Sequence, residues 1–260
     1  MKIVIIGNGI AGNRVAFDVR GRNKDHDICI VSAESMPEYD PCSLPYFLGG
    51  DVRRGDVFRK TIEDYRRCDI DLKLDQRAVA IDPDTKCVTT VRGNEIGYDK
   101  LVLAHGGQQF IPPIEGIDLP GVFSCKQLSE TERLQAHGGS RAVVIGSGAI
   151  GIEVAEALQK RGYRVTVVEL LDWVLPALFD HETARRLEVR LSAGKIRILT
   201  SERVLAIEGN GKVAAVTTDK RRLNCDTVVI ATGVVPGVAL AQTAGIDIDR
   251  GIKVRSDGIY

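Results

Sequence analysis

Two stretches of this chain join an apolar run to the spacing G-x-G-x-x-G. The first is Ile3-Val4-Ile5-Ile6-Gly7-Asn8-Gly9-Ile10-Ala11-Gly12 and the second is Ala142-Val143-Val144-Ile145-Gly146-Ser147-Gly148-Ala149-Ile150-Gly151. A strand that turns through such glycines into a helix presents bare backbone N–H groups and the positive end of the helix. That combination cradles a pyrophosphate, whose close approach a Cβ would block. Gly7, Gly9, Ile10, Ala11 and Gly12 are therefore candidate contacts to one dinucleotide, and Gly146, Gly148, Ala149, Ile150 and Gly151 to another. The economical reason to hold two is to pass electrons between them, usually from a nicotinamide to a flavin.

Two further side chains could take part in that chemistry. Glu169 ends the apolar run Val165 to Val168, about 20 residues beyond the second glycine turn, where a carboxylate meets ribose hydroxyls. It would accept both hydroxyls of NADH and repel the 2′-phosphate of NADPH. Leu170 and Leu171 follow, with no arginine to receive that phosphate, so NADH is the expected partner. The plain alternative is a solvated strand-end acid. Cys42 lies between Pro41 and Pro45 ahead of a short apolar segment, and it could open a helix whose N-terminus favours the thiolate. A thiolate beside a flavin could attack a disulfide or persulfide and be reset by two electrons. Taken without its neighbours, Cys42 would be an inert loop cysteine.

The elements that must position these residues form a repeat. After the first glycine turn, a strand Asp27 to Val31 leads to Ser32 and Glu34. An extended segment at Cys87 to Val91, a Gly93-Asn94 turn and a strand Leu101 to Ala104 follow, the last ending in His105-Gly106. The second half repeats the order, with Val204 to Ile207, a Gly209-Asn210-Gly211 turn, Val213 to Thr217, and Val228 to Ala231 ending in Thr232-Gly233. Each half reads as a Rossmann-like, doubly wound α/β unit carrying a three-stranded β-meander. The paired Pro112-Pro113 cannot lie inside a helix or central strand, which marks a crossover, and a second crossover is expected at Pro236-Gly237. The resulting division is a first domain of 1–110 plus 237–260, with 111–236 inserted as the second. The second turn's helix should bury Ile150, Val154 and Leu158, spaced i, i+4, i+8.

Bulk properties exclude several classes. Lys+Arg and Asp+Glu each total 35, which leaves no field to attract nucleic acid or an anionic membrane. No apolar run is long enough to span a bilayer. The six cysteines have no C-x-x-C and no metal-ligand spacing, and a core of this size needs no disulfides, so a reducing cytoplasm is expected. Cys29 and Cys225 read as packing. The basic pairs Arg53-Arg54, Arg59-Lys60 and Arg66-Arg67 alternate with acids as on a solvated helix face, and Trp173, His26, His137 and His181 read as structural.

With these motifs in place, the sequence resembles the two-dinucleotide flavoprotein disulfide reductase superfamily. It is most similar to the single-cysteine branch of coenzyme A disulfide reductases and NADH oxidases and peroxidases. The resemblance is carried by both glycine fingerprints, by Ala231-Thr232-Gly233, and by Cys42-Ser43-Leu44-Pro45-Tyr46, which matches a C-x-L-P-Y segment followed by glycine. It implies FAD on the first unit, NADH on the second, and Cys42 as the redox cysteine. Gly106, Thr232 and Gly233 are then strand-end cofactor contacts. Glu153 would lie near the nicotinamide, or would simply be an acid favourable to the helix dipole.

The departures are specific. Ser32 stands where such flavoproteins usually place a ribose-binding glutamate, so Glu34 is a substitute candidate. His105 replaces an expected threonine-type strand end. Ile10 occupies a position that is histidine in peroxidases and water-forming oxidases. Glu38 and Pro41 replace the serine and asparagine of the coenzyme A pattern. The expected activity is NADH-dependent reduction of a small disulfide, persulfide or polysulfide. The alternatives are an NADH oxidase or an NADH:electron-carrier reductase of the rubredoxin or ferredoxin type. The family also implies an A-x-G-D segment and a homodimer-forming domain beyond Tyr260. On that expectation the chain as given holds FAD weakly, and a nucleotide-binding module without turnover is a further alternative.

Overall fold

The computed structural model describes residues 1–259, and Tyr260, the last residue of the expected stretch 237–260, lies outside the described residues. The described chain divides into two compact units. One comprises Met1–Asp40, Phe58–Gln108 and the part from Val234 onward; the other comprises Pro41–Val57 and Gln109–Gly233. The chain changes unit within three residues of the crossovers expected at 110/111 and 236/237. The difference is the segment 41–57, which packs with the second unit rather than the first.

In the first unit a four-stranded parallel sheet has the order Ile70–Lys73, Asp27–Val31, Lys2–Ile6, Lys100–Leu103. Its two central strands, Lys2–Ile6 and Asp27–Val31, are nearly continuous apolar runs because both faces are covered. Alternation sorts the side chains: Ile3, Ile5, Ile28 and Ile30 pack with Ala16 and Tyr65, while Val4, Ile6, Cys29 and Val31 pack on Ile81, Val88 and Ile96. The second group belongs with the antiparallel meander Ala78–Asp82, Cys87–Thr90, Glu95–Gly97. Burial pushes the Cys29 thiol up to about 12, as suits a packing residue.

The second unit repeats the plan with five parallel strands in the order Arg197–Leu199, Arg164–Val168, Arg141–Ile145, Thr227–Ile230, Val122–Phe123. Its meander is Val204–Gly209, Val213–Thr218, Arg222–Asn224. Val143, Ile145, Val168, Val216, Val228 and Ile230 form the core between sheet and meander. On the sheet's other face the helix Ala149–Lys160 buries Ile152, Val154, Ala155 and Leu158. Ile150 shares the stripe of Val154 and Leu158 by spacing but is not buried with them: it is 41% exposed, in the helix's first turn two residues after the N-cap Gly148. Segment 41–57 belongs here through the short helix Leu44–Gly49, whose Leu44 and Leu48 are fully buried. A Cβ added to Gly49 would stand 3.4 Å from the Cα and Cβ of Ala157, so the two helices meet closely at this glycine.

Candidate functional site

The two glycine turns have the same backbone construction. Gly7 and Gly146 adopt φ of 112° and 102°, which side chains rarely tolerate. A Cβ on either would strike a carbonyl of the neighbouring strand end, Ala104 or Ala231. Gly12 and Gly151 sit against the carbonyls of Gly7 and Gly146, so each third glycine lets its helix close on its own turn. The middle glycines differ from these. No atom lies within 4 Å of where a Cβ on Gly9 or Gly148 would stand.

Gly9 and Gly148 are also the N-caps of helices Ile10–Arg22 and Ala149–Lys160, and neither helix has a side-chain cap. The first N–H groups of each helix lack an intrahelical acceptor. Open space over the middle glycine and unsatisfied donors below it fit a pyrophosphate at both turns. The flanking residues agree, since Ile10 and Ile150 are 52% and 41% exposed at the rim of each turn.

Around the first turn the side chains that hold Asn8 are neutral. Asn13, buried inside the helix, donates through Nδ2 to the Asn8 carbonyl at 2.9 Å and to Asn8 Oδ1 at 2.9 Å. The Tyr65 hydroxyl bonds Asn13 Oδ1 at 2.8 Å and Asn8 Oδ1 at 3.1 Å, and accepts from the Glu38 N–H at 3.2 Å. Tyr65 is 1% exposed, and burial pushes its phenol up to about 12. Ser32 is buried, and its Oγ accepts from the Glu34 N–H at 3.1 Å. The Glu34 carboxylate accepts from the Tyr39 hydroxyl at 2.7 Å. His105 Nε2 meets the Gly237 carbonyl, and its Nδ1 is buried without a partner. Gly106, next to it, has φ of 69°.

Around the second turn the supporting group is a carboxylate. Glu169 is buried, and its Oε2 accepts from the Ser147 N–H at 2.8 Å and the Ser147 hydroxyl at 2.7 Å. Its Oε1 accepts from the Leu171 N–H at 2.9 Å. A carboxylate has roughly four acceptor positions, so as placed it keeps one for a further donor rather than the two expected from sequence. Thr232 donates to the Phe110 carbonyl at 2.6 Å, and the Phe110 N–H donates to Gly233, whose φ is 102°. Glu153 is half-buried on the turn's helix. Burial, then the neighbouring Glu156, holds its carboxyl above the usual range.

Cys42 is exposed, in a 3-10 turn Pro41–Ser43. The helix that follows begins only at Leu44 and has 6 residues, so Cys42 precedes its N-terminus instead of opening it. Among the described residues no cysteine forms a disulfide. The sequence reading missed the turn's own side chains, Asn8 and Ser147, and their partners Asn13 and Tyr65. The one available signal was a polar residue inside each G-x-G.

The pattern of pyridine nucleotide-disulphide oxidoreductases matches residues 1–258. The chain belongs to that family. Among relatives of this chain, an NADH oxidase from Methanocaldococcus jannaschii is 37% identical over 96% of the chain and 58% of its own length. Among solved structures, an NAD-dependent persulfide reductase from A. fulgidus superposes with a TM-score of 0.92 at 35% identity, covering 96% of this chain and 49% of that one. A ferredoxin reductase from Rhodopseudomonas palustris also gives 0.92, at 29% identity, covering 97% of this chain and 64% of that one. The chain therefore spans between about half and two thirds of the length of these proteins. Among its described residues, no helix is long and apolar enough to cross a membrane.

Proposed function

We propose that this oxidoreductase chain holds FAD at the first glycine turn and NADH at the second, and that it reduces a small disulfide, persulfide or polysulfide through Cys42. The observation that carries the reading is the pair of turns, each with open space over its middle glycine and an uncapped helix end beneath. The helix ends at Ile10 and Ala149 would each hold a pyrophosphate. The remaining acceptor position of Glu169 suits one ribose hydroxyl, and its charge disfavours a 2′-phosphate. FAD, when bound, supplies the two-electron relay between nicotinamide and thiol.

The exposed Cys42 sulfur can reach a soluble disulfide. It forms a bond to one sulfur as the S–S bond breaks and the other half leaves as a thiolate. The two electrons that originate on NADH then break the mixed disulfide. In sum NADH, one proton and RS–SR give NAD⁺ and two thiols. Support for Cys42 comes from its match to the C-x-L-P-Y segment and from the persulfide reductase that superposes on the chain.

A second reading, reduction of an electron-carrier protein with Cys42 incidental, draws on the equally good superposition of a ferredoxin reductase. Cys42→Ser in the flavin-loaded protein separates them. On the first reading NADH still bleaches the flavin, but turnover with a small disulfide falls to background. Undiminished disulfide turnover would move the assignment to the carrier reading.

A further inference from the structure

Four arginines of the second unit converge at the end of its sheet opposite the glycine turn. Arg141, Arg164 and Arg197 are the first residues of the neighbouring parallel strands Arg141–Ile145, Arg164–Val168 and Arg197–Leu199. The register sets Arg141 beside Arg164, and Arg197 beside Thr166 on the same pleat as Arg164. The three side chains are thereby directed to one face. Arg222, at the start of the meander's edge strand Arg222–Asn224, borders the same hollow. The cavity they line measures about 440 Å³, and no acidic side chain lines it.

The charges there are unevenly compensated. Arg222 is engaged by Glu208 at 2.7 Å and by Asn224 Oδ1 at 2.6 Å. Arg141, Arg164 and Arg197 have no ion-pair partner among the described residues. Asp226, which holds the Arg141 N–H, spends its carboxylate on backbone N–H groups and the hydroxyls of Ser140 and Thr227. Like charges fixed side by side on paired strands repel. An anion with several oxygens relieves that repulsion, and the planar guanidinium fork matches phosphate oxygens two at a time. The volume falls within the range of about 300–1,000 Å³ typical of small-molecule sites.

We propose that this cavity is a binding site for a small free oligophosphate anion, held by Arg141, Arg164 and Arg197. It is distinct from the dinucleotide turn. The strand Arg141–Ile145 separates the two and, at about 3.3 Å per residue, sets them on the order of 15 Å apart. The site is thus independent of which cofactor the glycine turns hold.

Titration calorimetry with sodium pyrophosphate in about 0.1 M salt tests this, with and without excess NAD⁺, which occupies the turn. The expected result is one pyrophosphate site per chain that NAD⁺ does not displace. Arg164→Gln and Arg197→Gln should each weaken it more than tenfold. Arg164→Lys, which keeps the charge but loses the fork, should give an intermediate loss. Absence of binding, displacement by NAD⁺, or parent-like affinity in the two glutamine variants would overturn the proposal.

Discussion

The two glycine turns share a backbone and differ in what fastens them. At the first, Asn8 is clamped by Asn13 and Tyr65 in a neutral network. At the second, Ser147 is clamped by the buried Glu169 carboxylate. The positions correspond, since Asn8 and Ser147 each follow the first glycine, and Ser32 and Glu169 each follow the second strand. The backbone solution is fixed by sterics, and only glycine satisfies it. The clamp is a matter of chemistry, and each unit has solved it separately. A charged clamp discriminates among ligands by charge, whereas a neutral one only holds shape.

The largest effect should come from the part the turns share. Gly151→Val would drive a side chain into the Gly146 carbonyl, with backbone on both sides of the clash. The cost should be about 3 kcal/mol or more. Urea unfolding followed through Trp173, the single tryptophan, should show the midpoint falling sharply. Gly148→Ala, with nothing within 4 Å, should leave that midpoint almost unchanged yet weaken dinucleotide binding. Equal midpoints for Gly151→Val and the parent chain would break the shared-backbone account.

The next effect separates the clamps by charge. Glu169→Ser removes the carboxylate that faces the second turn. The preference for NADH over NADPH should shrink by about ten- to a hundredfold, equivalent to roughly 1–3 kcal/mol. Competition binding would measure it directly, and an unchanged ratio would leave Glu169 with a structural role alone.

At the neutral clamp, Tyr65→Phe removes a buried hydroxyl with three hydrogen-bond partners and should cost about 2 kcal/mol. It should also change the alkaline limb of stability. The folded chain keeps the phenolic proton up to about pH 12, whereas an unfolded tyrosine releases it near pH 10. The unfolded state therefore binds fewer protons in that window, and stability falls as pH rises from about 10 to 12. Tyr65→Phe should lose that part of the slope. Denaturation at pH 9 and pH 11 for both proteins would read the difference.

The glycine positions, the parallel strands and the meanders were legible from sequence because they follow from sterics and period-two burial at named residues. Segment 41–57 was not, because its attachment depends on Leu44, Leu48 and Gly49 meeting a helix more than a hundred positions away, and no local pattern encodes that meeting. Ile150 was misplaced for a related reason. Helical spacing gives a face but not which of its positions are covered. Glu169 was visible as a strand-end acid, yet its grip on Ser147 was hidden, since a serine inside G-x-G looks like filler until the turn brings it under the carboxylate.

Ser147→Ala should give the smallest effect and the sharpest test of the comparison. It deletes the hydroxyl bond to Glu169 Oε2 but leaves the Ser147 N–H and Leu171 N–H bonds in place. The loss should be about 1.5 kcal/mol, the lower end for a hydrogen bond to a charged group. With Oε2 freed of one donor, the carboxylate keeps its place and gains an acceptor position for a ligand hydroxyl. NADH affinity should then change while NADPH stays excluded, and Ser147→Thr should restore the parent behaviour by returning the hydroxyl. Asn8→Ala at the first turn has no carboxylate to release, and it should lower stability without altering the NADH-to-NADPH ratio. If Ser147→Ala and Asn8→Ala move that ratio equally, the charged and neutral clamps are not functionally different.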